Sequence, residues 1–471
     1  MTILQVGILA LVAAVIGQLR RGRGLALLGV SALAVFWLQP EEPSASLRYW
    51  LPFATVAIAV LSWALTSTAE VRGLRRNWPA AAVLAGVVVL ADLNRYAGLQ
   101  ALYFTQSPRP ILVGVALLAL ALVVMALTRW ERLGRLWWWI ALAAIILVFV
   151  FLKTPPLTTW LVGIPGSLRG AETPLNTTAL SWLGFSYVAF RLMHTIRDRQ
   201  AGRLAPVTLS EYVNYVIFFP AFTAGPIDRI ERFVPDLCAT PHLGNEDWIE
   251  AGTRLFVGLF KKFVIADLLA IISINDVLVH EVRSSGWLWL FLYAYAFRIY
   301  FDFSGYTDIA IGLGRLMGIR LPENFAAPYL KPNLTQFWNS WHITLTQWFR
   351  GYFFNPLTRA MRSAKRPMPT WLAILIAQLS TMLLIGLWHG ITAGFVAWGL
   401  WHGAGLFLHN RWSDFMRARV PAWMQTPTGQ ALSSALGIFI TFNYVAIGWL
   451  FFTLSTPSVA WRAILRLSGI A

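Results

Sequence analysis

The sequence predicts an all-α membrane protein, a polytopic helical bundle in which about eleven to thirteen helices cross a bilayer. Of its 471 residues, 57% are hydrophobic and only 13% are charged, whereas soluble globular domains carry about 25% charged residues. Hydrophobic stretches near the ~20 residues that cross a ~30 Å hydrocarbon core recur along the whole chain. Because short groups of arginine separate these stretches, we expect one integrated membrane domain.

Charge and cysteine content exclude several other classes of protein. The net charge of +17 does not indicate nucleic-acid binding, because the basic residues are spread between hydrophobic stretches instead of clustering on one face or tail. Cys238 is the single cysteine of the chain, so an intrachain disulfide is impossible. We therefore expect membrane lipids to surround the protein, and no nucleic-acid partner.

Six hydrophobic stretches precede residue 153, and the basic residues between them predict their orientation. Alternate connections hold thirteen basic residues in one set and five in the other, so the richer set should face the cytoplasm. The first stretch has no basic residue before it and is expected to be a retained span with its N-terminus outside. The stretches lie near residues 3–18, 25–38, 50–66, 79–93, 110–127 and 136–152. The richer set is Arg20, Arg21, Arg23, Arg72, Arg75, Arg76, Arg129, Arg132, Arg135, Arg191, Arg197, Arg199 and Arg203.

Beyond residue 153 the hydrophobic pattern becomes less regular. A Pro- and Gly-rich loop, 154–176, is expected outside, followed by a span near 177–193. Proline and glycine break the apolar segment 211–226, which is typical of a re-entrant or interfacial helix. We divide the chain into N-terminal spans (1–176), a central core (177–410) and a C-terminal loop with a last span (411–471). Further apolar stretches lie near 253–279, 287–318, 371–388, 391–409 and 431–454.

The stretch Asn324 to Gly390 holds the candidate chemistry. Asn333 with Gln336 three residues later predicts a helix start, and Asn355-Pro356 predicts its end, so one helix is expected over 334–354. An aromatic stripe at helical spacing on this helix carries one histidine, while polar residues lie elsewhere around it. The stripe consists of Trp338, Trp341, His342, Leu345 and Phe349.

A second histidine, His389, follows the uncharged run 371–388 and lies between Gly386 and Gly390. Neutral imidazole is the side chain suited to accept a proton near pH 7, so His342 and His389 are candidate catalytic residues. The alternative, a packed polar residue without a chemical role, is our expectation for four other histidines. No His-x-x-x-His pair occurs, so no metal site is predicted. The four are His194, His242, His280 and His409.

Two carboxylates, Asp302 and Asp308, lie in an apolar stretch, where ionisable groups are costly. Arg298 precedes Asp302 by four residues and Arg315 follows Asp308 by seven, so both acids have possible charge partners. We interpret Asp308 as structural. For Asp302 a structural role and a functional role stay open.

An ordered series of motifs from about Trp182 to Gly405 resembles the membrane-bound O-acyltransferases, in the bacterial branch of the alginate O-acetylation protein and the teichoic-acid D-alanyl transferase. Two positions differ: Gly351 replaces the expected Asp, and Thr358-Arg359 replaces the usual Gly-Gly. The first 170 residues match only as hydrophobic spans. The matching segments are Phe219-Pro220, Ala224-Gly225-Pro226-Ile227, Gly258 to Lys262, Ile299 to Gly314, Leu321 to Phe325, Pro328-Tyr329-Leu330, Phe337-Trp338, Trp341-His342-Ile343 and Leu387-Trp388-His389-Gly390.

The resemblance implies a helical bundle around a central tunnel. It also implies that a thioester donor enters from the cytoplasm and that an acceptor hydroxyl approaches from the other side. His389 matches the histidine of the superfamily and His342 a second active-site position. No bound cofactor is expected, and the phosphopantetheine thioester of coenzyme A or of an acyl carrier protein is the expected donor substrate. We expect substrate contacts from Asp302, Ser304, Asn324, Trp338, Trp341, Arg350 and Trp388.

These expectations describe an enzyme of the bacterial inner membrane that passes an acyl group, with acetyl favoured, to an envelope polysaccharide or to a periplasmic acyltransferase partner. D-Alanyl transfer from a carrier protein is the alternative within the family. A polysaccharide or lipid transporter is the alternative from another class, because transporters also place polar residues and broken helices at the midplane. A basic loop is expected to contact the acidic donor, or else only to set topology; it holds Arg359, Arg362, Lys365 and Arg366.

Overall fold

The computed structural model describes residues 1–40, 45–97, 108–129, 135–154, 156–158, 181–240, 243–417 and 419–470. Within these ranges the chain is helical, and an isolated bridge between Phe325 and Trp341 is the β pairing present. The all-α class predicted from the sequence is confirmed. The first helices are α1 (Ile3–Gly17), α2 (Arg23–Trp37), α3 (Ala45–Thr66), α4 (Leu74–Ala97), α5 (Pro110–Arg129), α6 (Arg135–Lys153), α7 (Phe185–Gln200), α8 (Leu209–Ile217) and α9 (Ile230–Cys238).

The remaining α-helices follow, together with two π-helical turns in the described ranges, Lys261–Ala266 and Arg350–Phe354, and three 3-10 turns, Ala69–Val71, Pro328–Leu330 and Ala422–Gln425. They are α10 (Asn245–Phe260), α11 (Asp267–Ile271), α12 (Asp276–Glu281), α13 (Ser285–Leu316), α14 (Leu334–Trp338), α15 (Ile343–Phe349), α16 (Asn355–Arg362), α17 (Thr370–His389), α18 (Ala393–Arg417), α19 (Pro427–Thr453) and α20 (Pro457–Leu467).

The hydrophobic stretches predicted in the first 152 residues all form helices, α1 to α6. In the described ranges, six helices are long and apolar enough to cross a membrane. The helices α1 and α2 have 15 residues each and are apolar but shorter. The larger count of eleven to thirteen spans stays a prediction, and so does the three-part division of the chain. The six long helices contain Leu47–Thr66, Leu74–Leu93, Pro110–Arg129, Leu136–Lys153, Thr370–His389 and Pro427–Thr453.

Contacts divide the chain into two compact units. In the first unit, α8 packs against α2 and α3, and α2 also packs against α4. In the second unit, α17 and α18 pack along each other and α18 packs against α19. The first unit comprises Met1–Phe256 and Asp308–Pro322, and the second comprises Val257–Thr307 and Glu323–Ala471.

The broken apolar segment predicted at 211–226 is present in the first unit. Helix α8 ends at Ile217, and turns follow that are almost completely buried. The guanidinium of Arg191 donates to the carbonyl oxygens of Val216 (2.9 Å) and Ala221 (3.0 Å). It therefore satisfies carbonyls that the end of the helix releases, the condition for an irregular backbone inside an apolar environment.

Two of the arginines that we counted as cytoplasmic loop residues are buried. Arg23 is 5% exposed and Arg191 is 1% exposed. Arg23 donates to the carbonyl oxygens of Met317 (2.7 Å), Asp236 (2.5 Å) and Leu237 (2.6 Å). Both side chains hold the backbone together, and the cytoplasmic side of their connections stays a prediction.

The single helix predicted over 334–354 is also wrong. Asn333 does cap the helix start, and its side chain accepts from the Gln336 N–H at 2.9 Å, but α14 ends at Trp338. After a turn, α15 begins at Ile343. The predicted stop at Asn355-Pro356 is instead the start of α16, where proline occupies the first turn and needs no N–H partner.

Candidate active site

The break between α14 and α15 places His342 in a left-handed backbone conformation, with φ 41° and ψ 57°. Such a conformation costs a non-glycine residue about 1–3 kcal/mol. Contacts from Asn324 replace the missing helical bonds. Its carbonyl oxygen accepts from the Ile343 N–H (3.0 Å), and its side-chain oxygen accepts from the Thr344 N–H (3.2 Å) and hydroxyl (2.6 Å). The strained turn is therefore supported by a residue eighteen positions earlier in the chain.

The same amide oxygen determines the proton position on His342. A backbone N–H only donates, so the Asn324 atom that Thr344 contacts is oxygen. That oxygen lies 3.3 Å from His342 Nδ1, so Nδ1 carries the hydrogen and Nε2 carries the lone pair in the neutral ring. The imidazole is 2% exposed and lies outside the six candidate spans. Burial lowers the pKa of His342 to about 3, so the ring is neutral near pH 7 and its Nε2 can accept a proton.

The second predicted histidine, His389, is the last residue of α17. Its ring is partly exposed and contacts Phe395 and Phe452, with ring centroids 5.8 and 4.8 Å away. Close packing of α17 on α18 needs glycine here, because a Cβ at Gly386 would lie 2.3 Å from the Phe395 carbonyl oxygen. The glycines around this histidine therefore let the two helices approach.

Trp388 contacts both histidines. Its ring centroid lies 6.1 Å from that of His342 and 4.5 Å from that of His389. Phe303 also packs edge-on against His342, with ring centroids 4.7 Å apart. The structure thus brings together three predicted site residues of the second unit, His342, Trp388 and His389, although Trp388 lies 46 positions after His342 in the sequence.

A cavity of about 160 Å³ lies next to Trp338. Its wall combines hydroxyl and amide side chains with apolar ones, and Arg350 lies at its lining and donates to the Asn339 side chain. Such a wall suits a narrow ligand with several polar groups. The other lining residues are Thr335, Thr346, Phe354, Gln378, Thr381, Met382, Ile385, Leu406 and Asn410.

The other predicted substrate-contacting residues have different surroundings. Trp341 packs among Phe325 (5.2 Å) and Trp449 (5.2 Å) and does not line this cavity. Ser304 is buried, 3% exposed. Asn324 contacts His342 and therefore positions a candidate catalytic residue. Their substrate contacts stay predictions.

The carboxylates have charge partners that the sequence spacing did not identify. Asp302 is half-exposed and pairs with Lys262 (2.5 Å) instead of Arg298. Asp308 is buried and pairs with Arg254 (2.5 Å), while Arg315 pairs with Glu250. The expected partners were wrong because packing of α10 and its π-helical extension on α13, and not the spacing within one helix, brings these charges together. The structural interpretation of Asp308 agrees with its ion pair.

Among the histidines expected to have no chemical role, His194 pairs with Asp198 (3.0 Å) and Glu231 (3.5 Å). These three side chains lie close enough to hold a metal ion, a grouping that the sequence spacing did not reveal. His409 is near the Thr335 hydroxyl at 3.2 Å. His242 lies outside the described residues. The four basic residues at 359–366 are exposed.

The sequence reasoning missed His402. This residue is 0% exposed and contacts the rings of Trp338 (5.2 Å) and Trp398 (4.8 Å). The signal was present in the sequence, because Gly-Leu-Trp-His-Gly occurs at 386–390 and again at 399–403.

Comparisons with known proteins agree on one family. The profile of the membrane-bound O-acyltransferase (MBOAT) family matches residues 167–451. The chain is 33% identical over 312 residues to teichoic acid D-alanyltransferase of Streptococcus thermophilus, covering 63% of this chain and 74% of the relative. It is 35% identical over 296 residues to probable alginate O-acetylase AlgI of Pseudomonas aeruginosa, covering 62% and 52%. It is 30% identical over 314 residues to peptidoglycan O-acetyltransferase of Helicobacter pylori, covering 62% and 55%. The chain thus spans about half the length of the last two relatives.

Proposed function

This chain belongs to the membrane-bound O-acyltransferase family, and we propose that it moves an acyl group, with acetyl favoured, from a cytoplasmic thioester to a hydroxyl of a cell-envelope polysaccharide or of a periplasmic acyltransferase partner. It is a membrane protein with several apolar helices. The arginine distribution favours an N-terminus outside, and the bacterial relatives favour the bacterial inner membrane.

The observation that carries the proposal is the pair of histidines that contact Trp388 inside the matched region. Asn324 accepts from His342 Nδ1, so the neutral ring carries its lone pair on Nε2. The His389 ring also contacts the Trp388 ring, with centroids 4.5 Å apart. A thioester is already activated, so the protein needs to deprotonate a hydroxyl, hold it near the carbonyl carbon and stabilise the oxyanion. We assign His389 as the general base and His342 as the residue that orients or stabilises the reacting groups.

The cavity beside Trp338 supports a phosphopantetheine donor. Helix α17 has 20 residues and ends at His389, so the histidine lies about 30 Å from the helix start at 1.5 Å per residue. A donor that approaches from the start of α17 must reach it through a long, narrow arm. Phosphopantetheine has two amides, a hydroxyl and a terminal thiol, which match the amide and hydroxyl side chains of the cavity.

The names of the relatives support acetyl as the acyl group. Two of the three relatives described above are named for acetyl transfer, which favours acetyl. D-Alanyl transfer is the second candidate because the Streptococcus thermophilus relative is named for it and aligns over 74% of its length.

Turnover of thioester by the purified full chain tests the proposal. We expect free thiol to appear when acetyl-coenzyme A or an acetyl carrier protein is added with an envelope glycan fraction, and mass spectrometry to find acetyl on the glycan. If mass spectrometry finds D-alanyl on the glycan instead of acetyl, D-alanyl transfer becomes the function. Movement of unmodified glycan into vesicles, with no thiol released from any donor, would contradict acyl transfer and support the transporter.

A further inference from the structure

The two copies of Gly-Leu-Trp-His-Gly place their histidines, His389 and His402, in different environments. His389 ends α17 and is partly exposed, whereas His402 lies within α18 and is completely buried. Gly448 of α19 leaves room for the buried ring, because a Cβ at residue 448 would lie 2.7 Å from His402 Nε2. The same five letters therefore produce two different environments.

Three aromatic rings around this position contact one another pairwise. The His402 ring lies 4.8 Å from Trp398 and 5.2 Å from Trp338, and the two tryptophans lie 5.7 Å apart. All three side chains are at most 5% exposed. We refer to Trp338, Trp398 and His402 as the His402 cluster.

The nitrogen atoms of the His402 cluster lack hydrogen-bond partners among the residues that the structure describes. This holds for both ring nitrogens of His402 and for the indole nitrogens of Trp338 and Trp398. The polar groups beside them are occupied: the Tyr444 hydroxyl donates to the Trp401 carbonyl oxygen, and the Trp449 indole donates to the Tyr329 hydroxyl. Buried polar groups in folded proteins almost always have a partner, so four without one on three touching rings indicate a missing ligand.

The His402 cluster also connects the cavity to the candidate base. Trp338 lines the cavity, and Trp398 contacts the His389 ring at 5.7 Å. The cluster therefore has one member in the cavity lining and another in contact with His389.

We propose that the His402 cluster binds the carbonyl oxygen of the acyl group. This rests on the proposed acyl transfer. An indole N–H is a donor without acceptor capacity, so two tryptophans select an acceptor atom, and a thioester carbonyl offers one. Donors aimed at a carbonyl oxygen also stabilise the negative charge that it develops during attack.

The proposed acyl transfer has an addition step and an elimination step. The acceptor hydroxyl oxygen forms a bond to the carbonyl carbon, its proton passes to the imidazole of His389, and the carbonyl electron pair moves onto the oxygen held by the His402 cluster. When that electron pair returns, the carbon–sulfur bond breaks. The leaving thiolate takes the proton from the imidazolium, and the products are an ester and a free thiol.

Conservative substitutions in the purified full chain test the proposal. Trp338→Phe and Trp398→Phe remove an indole N–H and keep an aromatic ring, and each should lower kcat for thioester turnover on the order of 10²-fold with KM nearly unchanged. Trp412→Phe is the matched control, since Trp412 lies on the same helix α18 and is 61% exposed. His402→Leu should lower kcat while raising Tm, because it removes an unpaired buried polar group. His402→Gln, which keeps a donor and an acceptor, should recover part of the lost kcat.

A pair of non-reacting ligands provides a second measurement. S-Acetonyl phosphopantetheine keeps a carbonyl and S-propyl phosphopantetheine lacks one, and both share the arm of coenzyme A and of carrier proteins. The acetonyl compound should raise Tm more than the propyl compound in the wild type, and the difference should vanish in Trp338→Phe.

The outcomes separate the two proposals. Wild-type kcat in both tryptophan variants, with His389→Ala inactive, would reject carbonyl binding and leave acyl transfer intact. A lower Tm in His402→Leu with unchanged kcat would mean that the cluster holds only buried water. If the wild type itself releases no thiol from any donor, acyl transfer fails and the carbonyl site fails with it.

Discussion

The buried arginines of the first unit and the buried His402 cluster of the second unit use their hydrogen-bonding groups differently. Arg23 and Arg191 direct their guanidinium groups at backbone carbonyls. The two ring nitrogens of His402 have no protein partner among the described residues. A polar group that is buried with its partners stabilises the fold, whereas one buried without them costs stability unless a ligand completes it. Burial alone therefore does not distinguish a structural polar residue from a functional one.

The largest expected effect tests the functional side of this comparison. His389→Ala should lower thioester turnover by ~10²-fold to 10⁴-fold, the usual contribution of a general base. The amount of folded protein should not change, because the ring is partly exposed. Turnover measured at saturating donor, with size-exclusion elution as the folding control, checks both statements. Turnover near the wild-type value would remove His389 as the base.

The next effect tests the structural side. Arg191→Leu leaves the Val216 and Ala221 carbonyls without their donor, at a cost of about 1–3 kcal/mol for each buried acceptor. We expect a large drop in Tm and in the yield of monodisperse protein. Arg197→Leu on the same helix α7 is the control, because among the described residues the Arg197 side chain contacts Gln200 and the Trp139 ring and no backbone carbonyl. Equal Tm values in the two variants would contradict the structural role.

A smaller effect concerns the support of His342 by Asn324. Asn324→Asp keeps the oxygen that accepts from Thr344 and His342, but its negative charge raises the pKa of His342 from the low value that burial imposes. Protonation then removes the Nε2 lone pair at a higher pH, so the acid limb of the pH–rate profile should move upward. Asn324→Leu should instead lower kcat about 10-fold at all pH values through loss of orientation. If the acid limb of the pH–rate profile lies at the same pH in Asn324→Asp as in the wild type, His342 is not part of the reaction.

The smallest effect concerns the exposed basic residues at 359–366. Arg359→Glu combined with Arg362→Glu should raise the apparent KM for the donor several-fold, and added salt should reduce the difference from wild type, because screened surface charges steer acidic partners only weakly. Arg75→Glu with Arg76→Glu is the control, since these arginines are also exposed and were predicted on the same side. An unchanged KM would leave the basic loop as a topology signal only.

Local sequence patterns predicted the helices well wherever a helix depends on its own residues. The helix that ends at His389 covers Thr370–His389, almost the predicted run, and Asn333 caps a helix as its spacing with Gln336 indicated. Hydrophobic length and capping side chains act within a few residues, so a single sequence displays them. The motifs around His342 and His389 also identified the family.

Contacts between distant residues decided the rest. The helix expected over 334–354 breaks at His342 because Asn324 supplies the hydrogen bonds that a continuous helix would have made. The same amide fixes which ring nitrogen carries the proton, and no spacing within the helix indicates that. The sequence placed Arg191 in a connection between hydrophobic stretches, whereas in the folded chain its guanidinium donates to two backbone carbonyls.

The two copies of Gly-Leu-Trp-His-Gly show this division most directly. The sequence alone determined that each copy lies in or at the end of an apolar helix. Only the tertiary structure made one histidine partly exposed and buried the other among Trp338 and Trp398. The physical reason is that the environment of a side chain depends on which helices pack against it, and residues such as Trp338 and Gly448, far from His402 in the sequence, supply that packing.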